Sequence, residues 1–100
     1  MKDKIKRIAN HYGLAKQQRQ LAEECGELIQ ATSKYMRFQE ESYALTVDWT
    51  YLQNVIEEIA DVEIMLEQMK VLLNLSDEAV EGVKNTKVNR ELARIKEGSK

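Results

Sequence analysis

The chain has 100 residues, 43% of them hydrophobic, and a formal net charge of −2 from 15 basic and 17 acidic side chains. A chain of this length supports one hydrophobic core, so we expect a single domain over residues 1–100, with any functional site on that domain or between copies of it. The near balance of charge offers no general attraction to polyanions, so neither nucleic acid nor a membrane surface is expected as a partner.

The composition indicates helices throughout. The chain contains no proline and only four glycines, and it is rich in residues that favour helices. We expect a first helix over about residues 2–12, which ends where Gly13 can adopt a positive φ angle. A second helix runs from about Leu14 into the 35–38 region, and its predicted buried stripe consists of Leu21, Cys25, Leu28, Thr32 and Met36 or Tyr35.

The second half of the chain predicts two more helices. Asp48 is the predicted N-cap of a third helix, whose apolar stripe consists of Leu52, Val55, Ile59, Val62, Leu66, Met69 and Leu73. Ser76, followed by Asp77 and Glu78, is the predicted N-cap of a fourth helix. That helix carries Val80, Val83, Leu92 and Ile95, and residues from about 97 to 100 are expected to form a disordered tail. The predicted fold class is therefore all-α.

The N-terminal segment and the single cysteine bear on the cellular compartment. Residues 1–13 are charged and contain no apolar run long enough for a signal peptide or a membrane span. With one cysteine, Cys25, no internal disulfide can form, and its neighbours favour a buried small hydrophobe over a reactive thiol. We therefore expect a soluble, cytoplasmic protein.

Two acidic pairs lie on the second and third predicted helices: Glu24 and Glu27 in EECGE, and Glu58 and Asp61 in EEIAD. Residues three apart on a helix project side by side, so each pair presents two carboxylates together. The first member of each pair borders the apolar stripe, so packing of the two helices would gather four carboxylates at the edge of the core. Hard divalent cations can offset their repulsion, and magnesium, which prefers oxygen ligands and substrate phosphates, is the natural candidate.

The alternative is that both pairs are solvated faces of amphipathic helices, which is the usual role of glutamates at helical spacing. A second pair on a different helix favours the metal hypothesis, and so does the mid-helix Gly26, which costs about 0.5–1 kcal/mol relative to alanine. Close packing of helices would also explain this glycine. A soft-metal or di-iron site is excluded because the chain has one histidine, His11, and one cysteine.

The two acidic motifs resemble the signature of the MazG-like, all-α nucleoside triphosphate pyrophosphohydrolases, which is Glu-Glu-x-x-Glu on one helix and Glu-x-x-Asp on a later one. The matching residues in this chain are Glu23, Glu24, Glu27, Glu57, Glu58 and Asp61. The resemblance covers about residues 14–94. It includes KNTKVNR, which is similar to the segment with lysine, asparagine and arginine that the family uses on substrate phosphates.

The resemblance implies a MazG-like four-helix bundle that is completed by forming a homodimer or a homotetramer. It also implies hydrolysis of a (d)NTP between its α and β phosphates to a (d)NMP and pyrophosphate, as nucleotide-pool house-cleaning, with Mg²⁺ as cofactor and Mn²⁺ as an alternative. The implied metal ligands are Glu24, Glu27, Glu58 and Asp61, and Glu23 would be an extra ligand or the base that orients the attacking water. The base, the sugar and a diphosphate in place of the triphosphate stay open.

Further residues are candidates for substrate binding. The resemblance assigns contacts with phosphates to Lys84, Lys87 and Arg90, and Asn89 could orient a phosphate or a base or be a plain surface residue. The alternative for the basic residues is simple solvation near a helix C-terminus. Gln20, one turn before Glu24, is placed to reach a ligand, and Trp49 could stack on a nucleobase or pack against the protein. The rival functions are a non-catalytic helical interaction or regulatory module, and a nucleotide-binding protein without turnover.

Overall fold

The computed structural model describes residues 1–42 and 49–98. It contains four α-helices: α1 (Lys2–Tyr12), α2 (Leu14–Ser42), α3 (Trp49–Leu72) and α4 (Asp77–Gly98). Every element in these two ranges is a helix, which confirms the predicted all-α class, and none of these helices has both the length and the apolar character needed to cross a bilayer. The predicted cap Asp48 and the last two residues lie outside the described ranges.

The break between α1 and α2 falls at Gly13, as predicted. Gly13 has a φ angle of 85°, and its N–H donates a hydrogen bond of 2.9 Å to the carbonyl oxygen of Ala9. Its own carbonyl accepts the N–H of Gln17 at 3.1 Å, so α2 begins directly after the break. Any residue other than glycine would be strained at this φ angle. Gly13 therefore sets the angle between α1 and α2.

The C-terminus of α3 is closed by a Schellman motif that the sequence reading missed. Asn74 has a φ angle of 56°, and its N–H donates to the carbonyl of Val71 at 3.2 Å. The N–H of Leu75 reaches back to the carbonyl of Lys70 at 2.8 Å. This pair of bonds around a left-handed residue satisfies two terminal carbonyls of the helix, and asparagine tolerates the left-handed conformation better than most residues.

The start of α4 is capped and held by charge. The Ser76 Oγ accepts the backbone N–H of Ala79 at 3.1 Å, which confirms the predicted N-cap. Asp77 in the first turn accepts hydrogen bonds from Lys2 at 3.0 Å and from Lys70 at 2.9 Å. These ion pairs tie the beginning of α4 to α1 and to the end of α3.

Helices α2 and α3 form an antiparallel pair, and α1 packs mainly against α3. Near one end of the pair, the Gln17 Nε2 donates to the Gln68 Oε1 at 2.7 Å. Towards the other end, the rings of Phe38 and Tyr51 stack with centroids 5.1 Å apart. The fully buried residues of the described ranges form a small core, made of Ala9, Gln17, Ala31, Met65, Gln68 and Met69.

The buried stripes differ from the predicted ones in both helices. On α2, Thr32 and Met36 are exposed, whereas Ala31 is buried and Tyr35 is half-buried. Consecutive steps of four residues drift by about 40° each around the helix, so the predicted stripe leaves the interface, which instead alternates steps of three and four. On α3 the predicted stripe is right in part, because Met69 is buried and Leu52, Val55 and Val62 are half-buried. At alternate positions the interface shifts by one residue, so Ile59 and Leu66 are exposed and Met65 is buried. Gln68 is also buried, and Leu73, just after the helix, is exposed. This helix is apolar on several faces, and its period alone does not identify the packed one.

Helix α4 does not join the core of the single chain. The apolar residues Val83, Leu92 and Ile95, which the sequence places on this helix, are more than half exposed, and residues 81–98 are exposed throughout. Only the first turns of α4, at Asp77 and Val80, are partly covered. The apolar side chains of α4 beyond these turns therefore face solvent in the single chain.

Candidate metal centre

Three carboxylates from two helices meet on the α2–α3 pair. Glu24 and Glu27 lie one turn apart on α2, and the antiparallel packing places Glu58 of α3 beside them. One carboxylate oxygen from each residue lies within 4.8 Å of the other two. Glu24 and Glu58 are half-buried, whereas Glu27 is exposed. We call these three residues the acidic trio.

Two oxygens of the trio are buried and have no hydrogen-bond donor. They are the Oε2 of Glu24 and the Oε2 of Glu58. The other oxygen of Glu24 is satisfied, because the Gln20 Nε2 donates to its Oε1 at 2.8 Å. Buried polar atoms are almost always paired in folded proteins, and a carboxylate oxygen without a donor is costly. A cation bound by the trio would remove this cost, and so would a proton shared between Glu58 and Glu24, whose hydrogen bond contributes to the raised pKa of Glu58.

The surroundings of Glu58 affect the pKa of its carboxyl group. Burial raises the pKa of the Glu58 carboxyl, and the negative charges of Glu27, Glu24 and Asp61 raise the pKa further. Crowding of like charges in a partly desolvated place therefore favours the protonated form of Glu58 when no cation is bound. The same crowding gives a cation a strongly negative site.

The donor set fits a hard divalent cation. All three members of the trio offer carboxylate oxygens, and neither His11 nor Cys25 belongs to it. Magnesium, manganese and calcium bind such oxygens, whereas zinc and copper sites usually contain nitrogen or sulfur ligands. The trio and its two unpaired oxygens would hold such an ion. The choice among these three metals depends on cavity size and on the number of ligands.

The remaining acidic residues of the two motifs lie around the trio. Asp61 is exposed on α3 and is not among the carboxylates whose oxygens approach within 4.8 Å, yet it is close enough for its charge to raise the pKa of Glu58. Glu23 is exposed on α2, one residue before Glu24. The structure thus brings together three of the four predicted metal ligands and places the fourth within electrostatic range.

The predicted substrate-binding residues of α4 do not line the trio within one chain. Lys84, Lys87, Asn89 and Arg90 are all exposed, and Lys84 forms an ion pair of 3.2 Å with Glu81. Lys84 also borders an apolar groove of about 790 Å³ that is lined by Ala60 and Glu63 of α3. Those two residues are two and five positions after Glu58, which places them on the opposite face of the helix from the trio.

Trp49 is placed quite differently from those basic residues. Its indole is 72% exposed at the start of α3 and lines an open cleft of about 650 Å³. The same cleft is lined by Lys34 and Asn54, which the sequence reading missed. Lys34 follows Glu27 by seven residues and Asn54 precedes Asp61 by seven, and this spacing places each on the same helix face as its acidic partner. A search for polar residues at that spacing would have found both.

No model of a protein family, no curated protein and no solved structure matches this chain. The candidate metal centre is therefore defined by the geometry of its own residues.

Proposed function

We propose that the acidic trio, together with Asp61, binds Mg²⁺ and that the protein hydrolyses a (d)NTP between its α and β phosphates to a (d)NMP and pyrophosphate. The observation that carries the proposal is the approach of three carboxylates within 4.8 Å with two buried, unpaired oxygens. Such a set leaves metal positions free for water and for phosphate oxygens, as magnesium sites that act on phosphates require. The resemblance of the two acidic motifs supplies the reaction.

Each residue of the proposed centre has a separate task. Glu24, Glu27 and Glu58 would hold the metal, and the hydrogen bond from Gln20 keeps the Glu24 carboxylate oriented. The exposed Glu23 would accept the proton of the attacking water. A bound divalent cation supplies stabilisation of negative charge on the phosphoryl oxygens and lowers the pKa of a coordinated water.

A second copy of the chain would supply the positive charge that the trio lacks. The described part of α3 carries the carboxylates Glu57, Glu58, Asp61, Glu63 and Glu67. Residues 81–98 of α4 carry five basic and three acidic side chains. The basic ones include Lys87 and Arg90, as well as Lys84 and Arg94, which form ion pairs with Glu81 and Glu91. Large apolar side chains are exposed on both helices. Opposite charge and shared apolar surface favour a homodimer or homotetramer in which α4 of one copy lies near α3 of another.

Product analysis tests the proposed reaction. Purified protein is incubated with a panel of (d)NTPs and (d)NDPs, with Mg²⁺ and separately with a chelator. We expect Mg²⁺-dependent release of pyrophosphate and a nucleoside monophosphate from at least one triphosphate, and loss of that activity in Glu27→Gln. Glu40→Gln, a matched change of an exposed glutamate on α2 about three and a half turns after Glu27, should retain activity. Equal turnover in wild type and Glu27→Gln would refute the site.

A non-catalytic interaction module is the second candidate, and the exposed apolar residues of α3 and α4 favour it. In that case the acidic trio would bind no metal, and millimolar Mg²⁺ would not raise the melting temperature. A ligand that binds only the native state must stabilise it, so the temperature shift separates the two candidates. Nucleotide binding without product would instead indicate a protein that binds nucleotide and does not cleave it.

A further inference from the structure

The cleft at the start of α3 is a concave feature lined by residues of both α2 and α3. It has a volume of about 650 Å³, and its lining includes Lys34 of α2 and Trp49, Gln53, Asn54 and Glu57 of α3. We call it the Trp49 cleft. It combines one large aromatic ring, two side-chain amides and charges of both signs. A cavity with these groups suits a planar, polar ligand better than an apolar one.

The Trp49 cleft lies next to the acidic trio along the helix pair and approaches it through Lys34 and Asn54, whereas Trp49, nine residues before Glu58, lies on the opposite face of α3 from Glu58, on the far wall of the cleft. On α2, Lys34 lies seven residues after Glu27, and on α3, Asn54 lies seven residues before Asp61. Residues seven apart on a helix occupy the same face and are separated by roughly 10 Å along the axis. That separation is of the order of the span between the phosphates and the base of a nucleotide. A single nucleotide could therefore occupy both features.

The position of Trp49 exposes a stacking surface. The neighbouring Tyr51 stacks on Phe38 of α2 at 5.1 Å, with an interplanar angle of 27°, and this contact fixes the start of α3 against α2. Trp49 stays 72% exposed beside this contact. An exposed indole next to polar groups resembles the platforms on which proteins stack nucleobases, because every base offers a π face.

We propose that the Trp49 cleft binds the base of a nucleotide whose phosphates lie at the acidic trio. The placement of the phosphates rests on the proposed function, whereas base binding in the cleft can be tested without it. Trp49 stacks on the base, and the amides of Asn54 and Gln53 donate to and accept from its edge. Lys34 adds positive charge on the α2 side of the cleft. These side chains therefore determine which base is preferred.

The experiment uses Trp49 itself as the reporter, because it is the only tryptophan of the chain. Emission of the full chain is recorded during titration with the common nucleoside monophosphates, in chelator and in Mg²⁺, with excitation at the red edge of the indole band. Inorganic pyrophosphate, which has no base, is the ligand control. We expect saturable quenching by at least one monophosphate in both conditions and none by pyrophosphate.

Variants separate stacking from packing. Trp49→Ala should weaken binding of the preferred monophosphate, measured by calorimetry, by roughly tenfold or more. Trp49→Phe, which keeps a ring, should lose less, and Asn54→Asp should change the ranking of the bases because it removes the amide donor. Tyr12→Ala removes an exposed aromatic side chain of α1 and should bind as the wild type does.

The outcomes distinguish this inference from the proposed function. If the wild type hydrolyses nucleotides while Trp49→Ala binds and turns them over normally, base binding in the cleft is refuted and the metal centre stands. If monophosphates quench Trp49 in wild type but no nucleotide is hydrolysed, base binding in the cleft is supported and the proposed hydrolysis is refuted. Absence of both quenching and calorimetric binding at millimolar monophosphate refutes the cleft whatever the turnover.

Discussion

Replacement of Glu58 by glutamine should affect metal-free and metal-bound protein in opposite directions. Without metal, glutamine removes the negative charge of Glu58, a carboxyl whose pKa is raised by burial and by the neighbouring charges of Glu27, Glu24 and Asp61. Its amide can also donate to the unpaired Oε2 of Glu24. We therefore expect the metal-free variant to melt at a higher temperature than wild type. With Mg²⁺ the order should reverse, because the variant has lost one of the three ligands.

The expected size follows from binding linkage. At a Mg²⁺ concentration of about 100 times the Kd, binding to the native state alone adds about 2.7 kcal/mol to the free energy of unfolding. For a domain of this size, about 1 kcal/mol shifts the melting temperature by roughly 4–8 °C, so the wild type should gain roughly 10–20 °C. Glu58→Gln should gain only a small part of this shift.

Thermal unfolding followed by circular dichroism, in chelator and across a Mg²⁺ titration, measures both effects. Glu40→Gln serves as the matched control, because Glu40 is exposed on α2 outside the acidic trio and should keep the wild-type shift. If Glu58→Gln and wild type gained the same stabilisation from Mg²⁺, the assignment of the trio as a metal centre would be wrong. A metal-free variant that melts below wild type would refute the argument from charge crowding.

The stability of the metal-free protein should depend on pH, because the pKa of Glu58 in the folded state is raised above 4.5. The contribution of Glu58 to stability is full below pH 4.5 and is lost as the pH rises through the raised pKa. A difference in melting temperature between wild type and Glu58→Gln that does not grow with pH would contradict this. Asp77 should behave oppositely, because hydrogen bonds from Lys70 and Lys2 lower its pKa from 3.8 to about 2. Asp77→Asn should therefore lower the free energy of unfolding at neutral pH, and this loss should shrink as the pH falls from 3.8 towards 2. If urea unfolding showed the same loss at every pH, the charge of Asp77 would not be its cause. Gln68→Leu should lower the free energy of unfolding by about 1–3 kcal/mol, because it leaves the buried amide of Gln17 unpaired. The double variant with leucine at both positions should recover much of that loss, which a double-mutant cycle in denaturant measures. Leu92→Lys should shift the light-scattering mass towards the monomer with unchanged helicity, and a wild type that is already monomeric at high concentration would refute the proposed assembly.

Several helix boundaries were predictable because they depend on local chemistry, whereas α2 runs to Ser42 and not only into the predicted 35–38 region. Gly13 breaks the chain at a positive φ angle and Ser76 caps α4, both as the sequence indicates. The Schellman motif was missed, since asparagine is only a modest signal for a left-handed residue and no glycine or proline stands near Asn74. Local signals of this kind predict where a helix ends but not which capping motif ends it.

The packed faces were less predictable, because they depend on which helices meet. On α3 nearly every face offers apolar residues, so only contact with α2 decides that Met65 is buried and Leu66 is exposed. For α4 the apolar residues correctly indicate a helix, but they do not indicate that residues 81–98 stay exposed in the single chain. Periodicity describes one helix at a time, whereas burial is a property of the assembly.

The candidate metal centre was predictable in its composition and less so in its geometry. Spacing of three residues on two helices was enough to predict that Glu24, Glu27 and Glu58 approach one another. The exact membership depends on how α3 is rotated, and the one-position shift of its interface places Glu58 inside it and leaves Asp61 exposed. No motif encodes that rotation.

The hydrogen bond between the buried amides of Gln17 and Gln68 fixes the axial register of α2 against α3. Apolar contacts tolerate sliding of one helix along another, but a displacement by one turn would part these amides and leave both buried without partners. Glu24 lies two turns beyond Gln17 on α2, and Glu58 lies nearly three turns before Gln68 on α3. By fixing the axial register at one end of the helix pair, the two glutamines determine which carboxylates face each other further along.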